Sequence, residues 1–157
     1  MFSILFVCLG NICRSPMAES VMTHLVKQAH LENQIAIGSA GTSDEESGHG
    51  IHPGTRKVLA AHQIPLVPHR AVQIDLDDYR RYDLIIAMEQ RNIRSMQRLL
   101  GGDPQHKMHC LLDWSDLPRD IADPWYTGNF ERAYRDVQEG CETLLQHLRT
   151  NVLVSDA

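Results

Sequence analysis

The chain has 157 residues, 43% of them hydrophobic and 22% charged, which predicts a single domain over residues 1–157. These fractions exclude collagen-like, disordered and membrane-embedded classes. The 15 Lys and Arg residues against 20 Asp and Glu give a net charge of −5, which argues against broad electrostatic binding to nucleic acid or to an anionic membrane.

The first residues and the cysteines favour a cytoplasmic protein. The apolar run at residues 1–10 is too short to span a bilayer and has no basic flank, so we interpret it as a strand and expect no membrane insertion. Four cysteines are too few for a disulfide scaffold, so we expect reduced thiols.

Strand-like apolar runs alternate with amphipathic stretches along the chain. In chain order, the sequence predicts a strand at residues 3–7, a helix from the N-cap Ser15 to about Leu31, a strand at 35–37, a helix at 53–62, a short helical turn capped by Asp75, a strand at 83–88, a helix at 91–100, a strand at 108–112, and a last helix capped by Asn129 or Thr127. Residues 150–157 are expected to form a loose tail.

This alternation predicts right-handed crossovers and a small doubly wound α/β domain, with a four-stranded parallel sheet flanked by helices. Ligands in such folds bind beyond the carboxyl ends of the strands. Two long loops, residues 38–52 and 113–128, leave strand ends at that edge. We therefore expect the functional site there.

The segment between Cys8 and Arg14 joins the first strand to the first helix. Its five intervening residues can curl into a ring with inward backbone N–H groups, which predicts a phosphate-binding loop. Gly10 is expected to permit the unusual backbone angles of such a ring, and Asn11 also tolerates positive φ. Arg14 supplies a fork for two phosphoryl oxygens.

The field of this ring favours a thiolate at Cys8, and an inward-facing Ser15 hydroxyl can donate a hydrogen bond to the sulfur. A thiolate beneath a phosphate monoester is placed for in-line attack, which gives a phosphocysteine. Because Arg14 and the backbone donors stabilise the phosphoryl charge, no metal and no other cofactor are expected. The leaving oxygen needs an acid, and four carboxyl groups of one loop compete for that role: Asp113, Asp116, Asp120 and Asp123.

Residues 7–19 resemble the signature of the low-molecular-weight protein tyrosine phosphatases, and residues 39–42, 69–71, 83–88 and 123–126 resemble later blocks of that family in order and spacing. The resemblance implies hydrolysis of phosphotyrosine in proteins or peptides and of small aryl phosphates, with inorganic phosphate as product. It implies that Cys8, Arg14 and Asp123 are catalytic, with Asp123 as the acid and then the base.

The same resemblance implies roles for the neighbours of these residues. Substrate binding would involve Leu9, Gly10, Asn11, Ile12, Cys13, Ser15, Trp125 and Tyr126. Ser39 and His69, together with Asn11, would support the loop, and Cys13 would trap oxidised Cys8 as a reversible disulfide. The acids of residues 43–50 stand where family members often have an aromatic residue, and we expect them to disfavour acidic peptides or favour basic ones.

Three other functions are weighed against this one. A phosphate-binding module without turnover would lack a nucleophile and an acid, whereas Cys8 and Asp123 are both present. Arsenate reductases of this fold need redox cysteines close together late in the chain, whereas Cys110 and Cys141 are far apart and are expected in the core. Phosphoarginine phosphatases, as the resemblance implies, tend to have Thr at the position of Ile12, which favours phosphotyrosine.

Overall fold

Four parallel strands form the sheet of this protein. The computed structural model describes residues 1–153. The strands are β1 (Phe2–Cys8), β2 (Ile35–Gly41), β3 (Leu84–Ala87) and β4 (Met108–Cys110). They lie in the order β2-β1-β3-β4, and each neighbouring pair is parallel, which confirms the predicted doubly wound α/β fold.

Helices cover both faces of this sheet. Within residues 1–153 they are α1 (Arg14–Gln28), α2 (Pro53–Ala61), α3 (Leu76–Arg81), α4 (Gln90–Leu100), α5 (Pro124–Thr127) and α6 (Phe130–Asn151). Helices α1, α2 and α6 pack together on one face, and side chains of α3 and α4 pack on the other. No helix in the described part of the chain has the length and apolarity needed to cross a bilayer.

β1 is buried on both faces, as its continuous apolar sequence predicts. Ile4, Phe6 and Cys8 contribute to the core beneath α1 and α6, whereas Leu5 and Val7 contribute to the core beneath α3 and α4. β1 also pairs with β2 along one edge and with β3 along the other. The strand that ends at Cys8 is therefore fixed by a neighbouring strand on each side and by a packed core on each face.

β2 is longer than the sequence predicts. The expected strand stopped at residue 37, but the observed one continues to Gly41, which pairs with Cys8. Residues 38–41 lack the β-branched residues that mark strands, and pairing with β1 overrides this weak local preference. The long loop therefore begins after Gly41, four residues later than expected.

α1 differs from its prediction at both ends. Its N-cap is Cys13 and not Ser15, and Pro16 is accommodated because the first amides of a helix have no intrahelical acceptor. The helix ends at Gln28 and not near Leu31, because His30 adopts a left-handed conformation with φ of 59°.

The last third of the chain differs from prediction in three places. β4 stops at Cys110, and a 3₁₀ turn, Leu111–Trp114, replaces its predicted end. The short helix α5 was not predicted. The prediction of a loose tail at residues 150–157 is wrong for residues 150 and 151, which belong to α6. Residues 154–157 lie outside the described part of the chain. Asn129, and not Thr127, caps α6 by accepting a hydrogen bond from the amide of Arg132 at 2.9 Å.

Candidate active site

The loop between β1 and α1 carries the first group of site residues. Cys8 ends β1 and is only 2% exposed. The residue with left-handed backbone in this loop is Asn11, with φ of 59°, and Gly10 does not adopt positive φ. The prediction was therefore right for Asn11 and wrong for Gly10, where an added Cβ would make only an ordinary contact, 3.4 Å from Glu46 Cγ.

The buried side chain of Asn11 ties this loop to its surroundings. Its Nδ2 donates to Ser15 Oγ at 2.8 Å and to Ser39 Oγ at 3.1 Å. Its Oδ1 accepts from the amide of Val72 at 3.0 Å. One amide therefore joins the loop, α1, β2 and the segment before α3, which satisfies its buried polar atoms and holds the unusual backbone.

Ser15 faces the sulfur of Cys8, as predicted. The two atoms, Ser15 Oγ and Cys8 Sγ, lie 3.1 Å apart. Because Ser15 Oγ already accepts a hydrogen bond from Asn11, its own proton is available to the sulfur. Such a bond from a hydroxyl stabilises the thiolate form of a cysteine relative to the thiol.

Ser39 and His69 meet this loop as expected, and Glu19 joins them. His69 Nε2 donates to the carbonyl oxygen of Asn11 at 2.6 Å, and His69 Nδ1 lies 3.9 Å from Glu19 Oε1. Ser39 Oγ donates to the same Glu19 oxygen at 2.7 Å. Burial raises the pKa of Glu19, although the hydrogen bond from Ser39 and the electrostatic effect of nearby His69 oppose this shift. No role in the site was predicted for Glu19 from the sequence, although it lies within the stretch that resembles the phosphatase signature.

Arg14 lies beneath the loop and is 1% exposed. Its Nη1 donates to Glu89 Oε2 and to the carbonyl oxygen of Ile121, both at 2.8 Å, and its Nη2 donates to Asp123 Oδ2 at 3.2 Å. Burial lowers the pKa of Arg14, but the nearby Cys8, Asp123 and Glu89 outweigh it, so the pKa is raised. Within residues 1–153, Arg14 Nε is a buried nitrogen that no protein acceptor satisfies.

Glu89 was not predicted as a site residue. It directly precedes α4, and its amide donates to Asn92 Oδ1 at 3.1 Å, as does the amide of Met88 at 3.2 Å. Asn92 therefore fixes the turn that points Glu89 at Arg14. A carboxylate at the carboxyl end of β3, the strand beside β1, is the sequence signal that could have identified it.

Of the four competing aspartates, Asp123 is the one that lines the same pocket as Cys8. It caps α5 through Oδ1, which accepts from the amide of Trp125 at 3.0 Å, while Oδ2 faces Arg14. Asp113 and Asp120 instead accept hydrogen bonds from backbone amides, those of Cys110 and Gln90. The geometry therefore separates Asp123 from its competitors.

Most of the site residues predicted from the sequence line one pocket. Its lining consists of Cys8, Leu9, Gly10, Ile12, Cys13, Ser43, Glu45, Glu46, Asp123, Trp125 and Tyr126. The two aromatic side chains are exposed by 56% and 74%, which leaves their rings open to a ligand. His52 supports this region, because its amide donates to the carbonyl of Ile12 at 2.9 Å and its ring meets that of Trp125 edge-on at 5.6 Å.

The other cysteines have environments that keep them protonated. Burial raises the pKa of Cys13 to about 12, with further contributions from the charges of Cys8 and Asp123. Burial also raises the pKa of Cys110 to about 12, and it raises that of Cys141. Cys110 and Cys141 lie in the two cores and not in the pocket, as predicted.

Comparison with known proteins gives a consistent result. The family described as low molecular weight phosphotyrosine protein phosphatase matches residues 3–154. The low molecular weight protein-tyrosine-phosphatase YfkJ of Bacillus subtilis is 41% identical over 152 residues, which cover 95% of this chain and 97% of that protein. The crystal structure of YfkJ superimposes with a TM-score of 0.94 at 38% identity over 98% of both chains.

A second similar protein is named as an arginine phosphatase. The crystal structure of a Drosophila arginine phosphatase superimposes with a TM-score of 0.85 at 30% identity, over 98% of this chain and 99% of that one. The family match covers residues 3–154, which include the loop between β1 and α1, Asp123 and the residues that hydrogen-bond to that loop. This protein belongs to the low molecular weight phosphotyrosine protein phosphatase family.

Proposed function

We propose that this protein is a cysteine-dependent, metal-independent phosphatase that hydrolyses protein phosphotyrosine and small aryl phosphates. The observation that carries the proposal is the convergence of three groups on one pocket: Cys8 and Asp123 line it, and Arg14 reaches Asp123 from beneath. A nucleophile, an acid and an anion-binding fork are the groups that transfer of a phosphoryl group to a thiolate requires.

In the first step, the thiolate sulfur of Cys8 attacks the phosphorus of the bound monoester. An S–P bond forms while the P–O bond to the aryl group breaks. The protonated carboxyl of Asp123 gives its proton to the departing phenolate oxygen, and phenol leaves. Ser15 stabilises the thiolate before attack through its 3.1 Å contact with the sulfur.

In the second step, the Asp123 carboxylate takes a proton from water. The oxygen of that water attacks phosphorus, a new P–O bond forms and the S–P bond breaks. The products are inorganic phosphate and the Cys8 thiolate, so the enzyme returns to its starting state. Asp123 Oδ1 accepts from the amide of Trp125, so the oxygen assigned to this proton transfer is Oδ2, which also accepts from Arg14 Nη2 at 3.2 Å.

Arg14 supplies the positive charge that balances the transferring phosphoryl group. Its guanidinium is fixed by Glu89 and by the carbonyl of Ile121, and its free buried Nε is a further donor. With the N-terminal amides of α1, this fork can stabilise three equatorial oxygens. The site therefore needs no metal ion for the step.

Trp125 and Tyr126 support an aromatic substrate, because exposed rings beside the nucleophile can stack on a phenyl group. The apolar side chain of Ile12 in the same pocket also favours a neutral ring over a charged guanidinium. We propose phosphotyrosine-containing proteins or peptides as partners. Because the nucleophile must stay reduced, we propose the cytoplasm as the compartment.

The test compares hydrolysis of three peptides of one sequence that carry phosphotyrosine, phosphoserine or phosphoarginine. We expect the phosphotyrosine peptide to have the highest kcat/KM, and a chelator to change none of the rates. Cys8→Ser should abolish turnover, whereas Cys110→Ala, which removes a thiol from the core, should retain it. Turnover by a folded Cys8→Ser variant would contradict the proposed chemistry, and a preference for phosphoarginine would contradict the proposed substrate.

A further inference from the structure

The pocket that contains Cys8 is lined by two chemically different groups of side chains. α5 contributes the aromatic rings of Trp125 and Tyr126, and the loop after β2 contributes the carboxylates of Glu45 and Glu46. We call residues 43–50 the acidic loop. Given the proposed function, on which this inference rests, we infer that the acidic loop selects phosphotyrosine peptides with Lys or Arg beside the phosphotyrosine.

Backbone contacts hold the acidic loop against the phosphate-binding loop. The amides of Thr42 and Ser43 donate to the carbonyls of Cys8 and Leu9, at 2.9 and 3.0 Å. The backbones approach so closely that a Cβ at Gly41 would lie 2.8 Å from the carbonyl oxygen of Leu9. The start of the acidic loop is therefore fixed relative to the nucleophile.

The far end of the acidic loop is fixed as well. The amide of Gly48 donates to the carbonyl of Ala71, and the amide of Ala71 donates to the carbonyl of His49, both at 2.8 Å. Between these anchors, the amide of Glu45 donates to Ser43 Oγ at 3.1 Å. The backbone that carries the two glutamates is therefore anchored at both ends. This fixes the position of the two residues relative to a peptide bound in the pocket.

Glu45 and Glu46 differ in whether their carboxylates already have a partner within the protein. Glu46 Oε2 lies 2.6 Å from His49 Nδ1. Glu45 is exposed, and among residues 1–153 no cationic side chain forms an ion pair with it. Glu45 is therefore the group that a cationic residue of the substrate can meet.

The pocket lining has no positive charge of its own to offset these acids. Its charged members are Glu45, Glu46 and Asp123, and no Lys or Arg in the described part of the chain lines it. Arg14 lies below the surface, where Glu89 and Asp123 already engage it. A peptide with acidic residues beside the phosphotyrosine is repelled at the rim, and one with basic residues is attracted.

The experiment measures kcat/KM for three peptides of one sequence in which phosphotyrosine is flanked by Lys, Ala or Glu on both sides. At low salt we expect the Lys peptide to exceed the Glu peptide by about threefold to tenfold, the range for a few exposed charge pairs. High salt should bring this ratio towards one, because exposed charges are screened. Glu45→Gln should reduce the ratio, and Glu45→Lys should reverse the order of the peptides.

The matched control is Glu32→Gln, which removes one exposed acid between α1 and β2, at the opposite end of β2 from the acidic loop, and should leave the ratio unchanged. Equal rates for the Lys and Glu peptides in the wild type, or a ratio that Glu45→Lys does not change, would overturn the inference while leaving the phosphatase chemistry intact. The Ala peptide tests the proposed function separately. If the enzyme does not hydrolyse it, the proposed function fails and the inference fails with it.

Discussion

The hydroxyl oxygen of Ser15 lies 3.1 Å from the sulfur of Cys8. The hydroxyl is oriented by Asn11, whose side-chain nitrogen donates to it and whose side-chain oxygen accepts from the amide of Val72. Cys8, the proposed nucleophile, is therefore in contact with a series of hydrogen-bonded side chains that continues through Ser39 to Glu19. Substitutions of these hydrogen-bonded residues should change the reactivity of the Cys8 sulfur more than they change the stability of the fold.

Ser15→Ala should lower kcat by about tenfold to a hundredfold, the value of one hydrogen bond to a charged group. It should also slow alkylation of Cys8 by iodoacetamide near neutral pH, because the sulfur loses a hydroxyl that can donate a hydrogen bond to it. The control is Ser20→Ala, which removes a buried serine of the same helix that accepts from Val67 and not from the site. Unchanged alkylation in Ser15→Ala would show that the contact does not activate Cys8.

Asp123→Asn should lower kcat by roughly a hundredfold or more, because proton donation by a placed acid contributes at least that much. Inhibition by inorganic phosphate should change much less, since the proton is needed only in the transition state. Asp120→Asn serves as the control, because Asp120 bonds to the amide of Gln90 outside the pocket. Equal losses in turnover and phosphate binding would remove Asp123 from the acid role.

Glu89 attracts Arg14 through its negative charge and orients the guanidinium through a hydrogen bond. Two variants separate these effects. Glu89→Gln keeps an acceptor for Arg14 Nη1 while removing a negative charge, so phosphate should inhibit a few-fold more strongly and kcat should stay within about threefold. Glu89→Ala removes both, and kcat should fall about tenfold, because the fork is less well oriented. Steady-state rates with phosphate as inhibitor measure both quantities. Identical behaviour of the two variants would contradict a separate geometric role.

The pKa of about 12 at Cys13 gives a pH dependence for its modification. Burial raises this pKa above the ordinary value, so Cys13 is a neutral thiol at pH 7, and its thiolate fraction rises about tenfold for each pH unit up to 12. Alkylation of the Cys8→Ser variant at Cys13 should therefore be slow at pH 7 and about a hundredfold faster at pH 9. Peptide mass spectrometry gives the rate at each pH. A rate at Cys13 that is constant over this range would refute the burial argument.

Gly140 on α6 packs against the 3₁₀ turn after β4, where an added Cβ would lie 2.4 Å from Leu111 Cγ. Gly140→Ala should therefore lower the free energy of unfolding by about 1–3 kcal/mol, although alanine favours the helix itself by about 1 kcal/mol. Gln146→Ala, at an exposed position of α6, is the control and should stay within about 0.5 kcal/mol. Denaturant unfolding measures both variants. A stabilised Gly140→Ala protein would mean that Leu111 moves aside at little cost.

The sequence predicts the sheet and the position of the loop between β1 and α1 well, because both depend on local patterns. β1 is a continuous apolar run, and the spacing from Cys8 to Arg14 lies in one short segment. The helix α5 is harder, since four residues are too few for a periodic pattern, although Asp123 before Pro124 and Gly128 after Thr127 are ordinary helix-end signals.

The residues that the sequence missed act across long separations in the chain. Glu89 is 75 residues from Arg14, and Glu19 is 20 residues from Ser39. Their roles depend on which strands become neighbours, and local propensity does not contain that information. The residues of β2 after Ile37 illustrate the same limit, since they become a strand only because β1 offers a partner.

α5 and its N-cap bring together, in one short segment, residues that serve two separate properties of this enzyme. The proton donor of the proposed reaction caps this helix of four residues, and the two rings beside the substrate follow within its first turn. A substitution that turns the helix to reshape substrate preference also turns the carboxyl relative to the sulfur. Substitutions in α5 are therefore expected to change substrate range and turnover together. The acidic loop belongs to another segment and can change without moving the proposed proton donor.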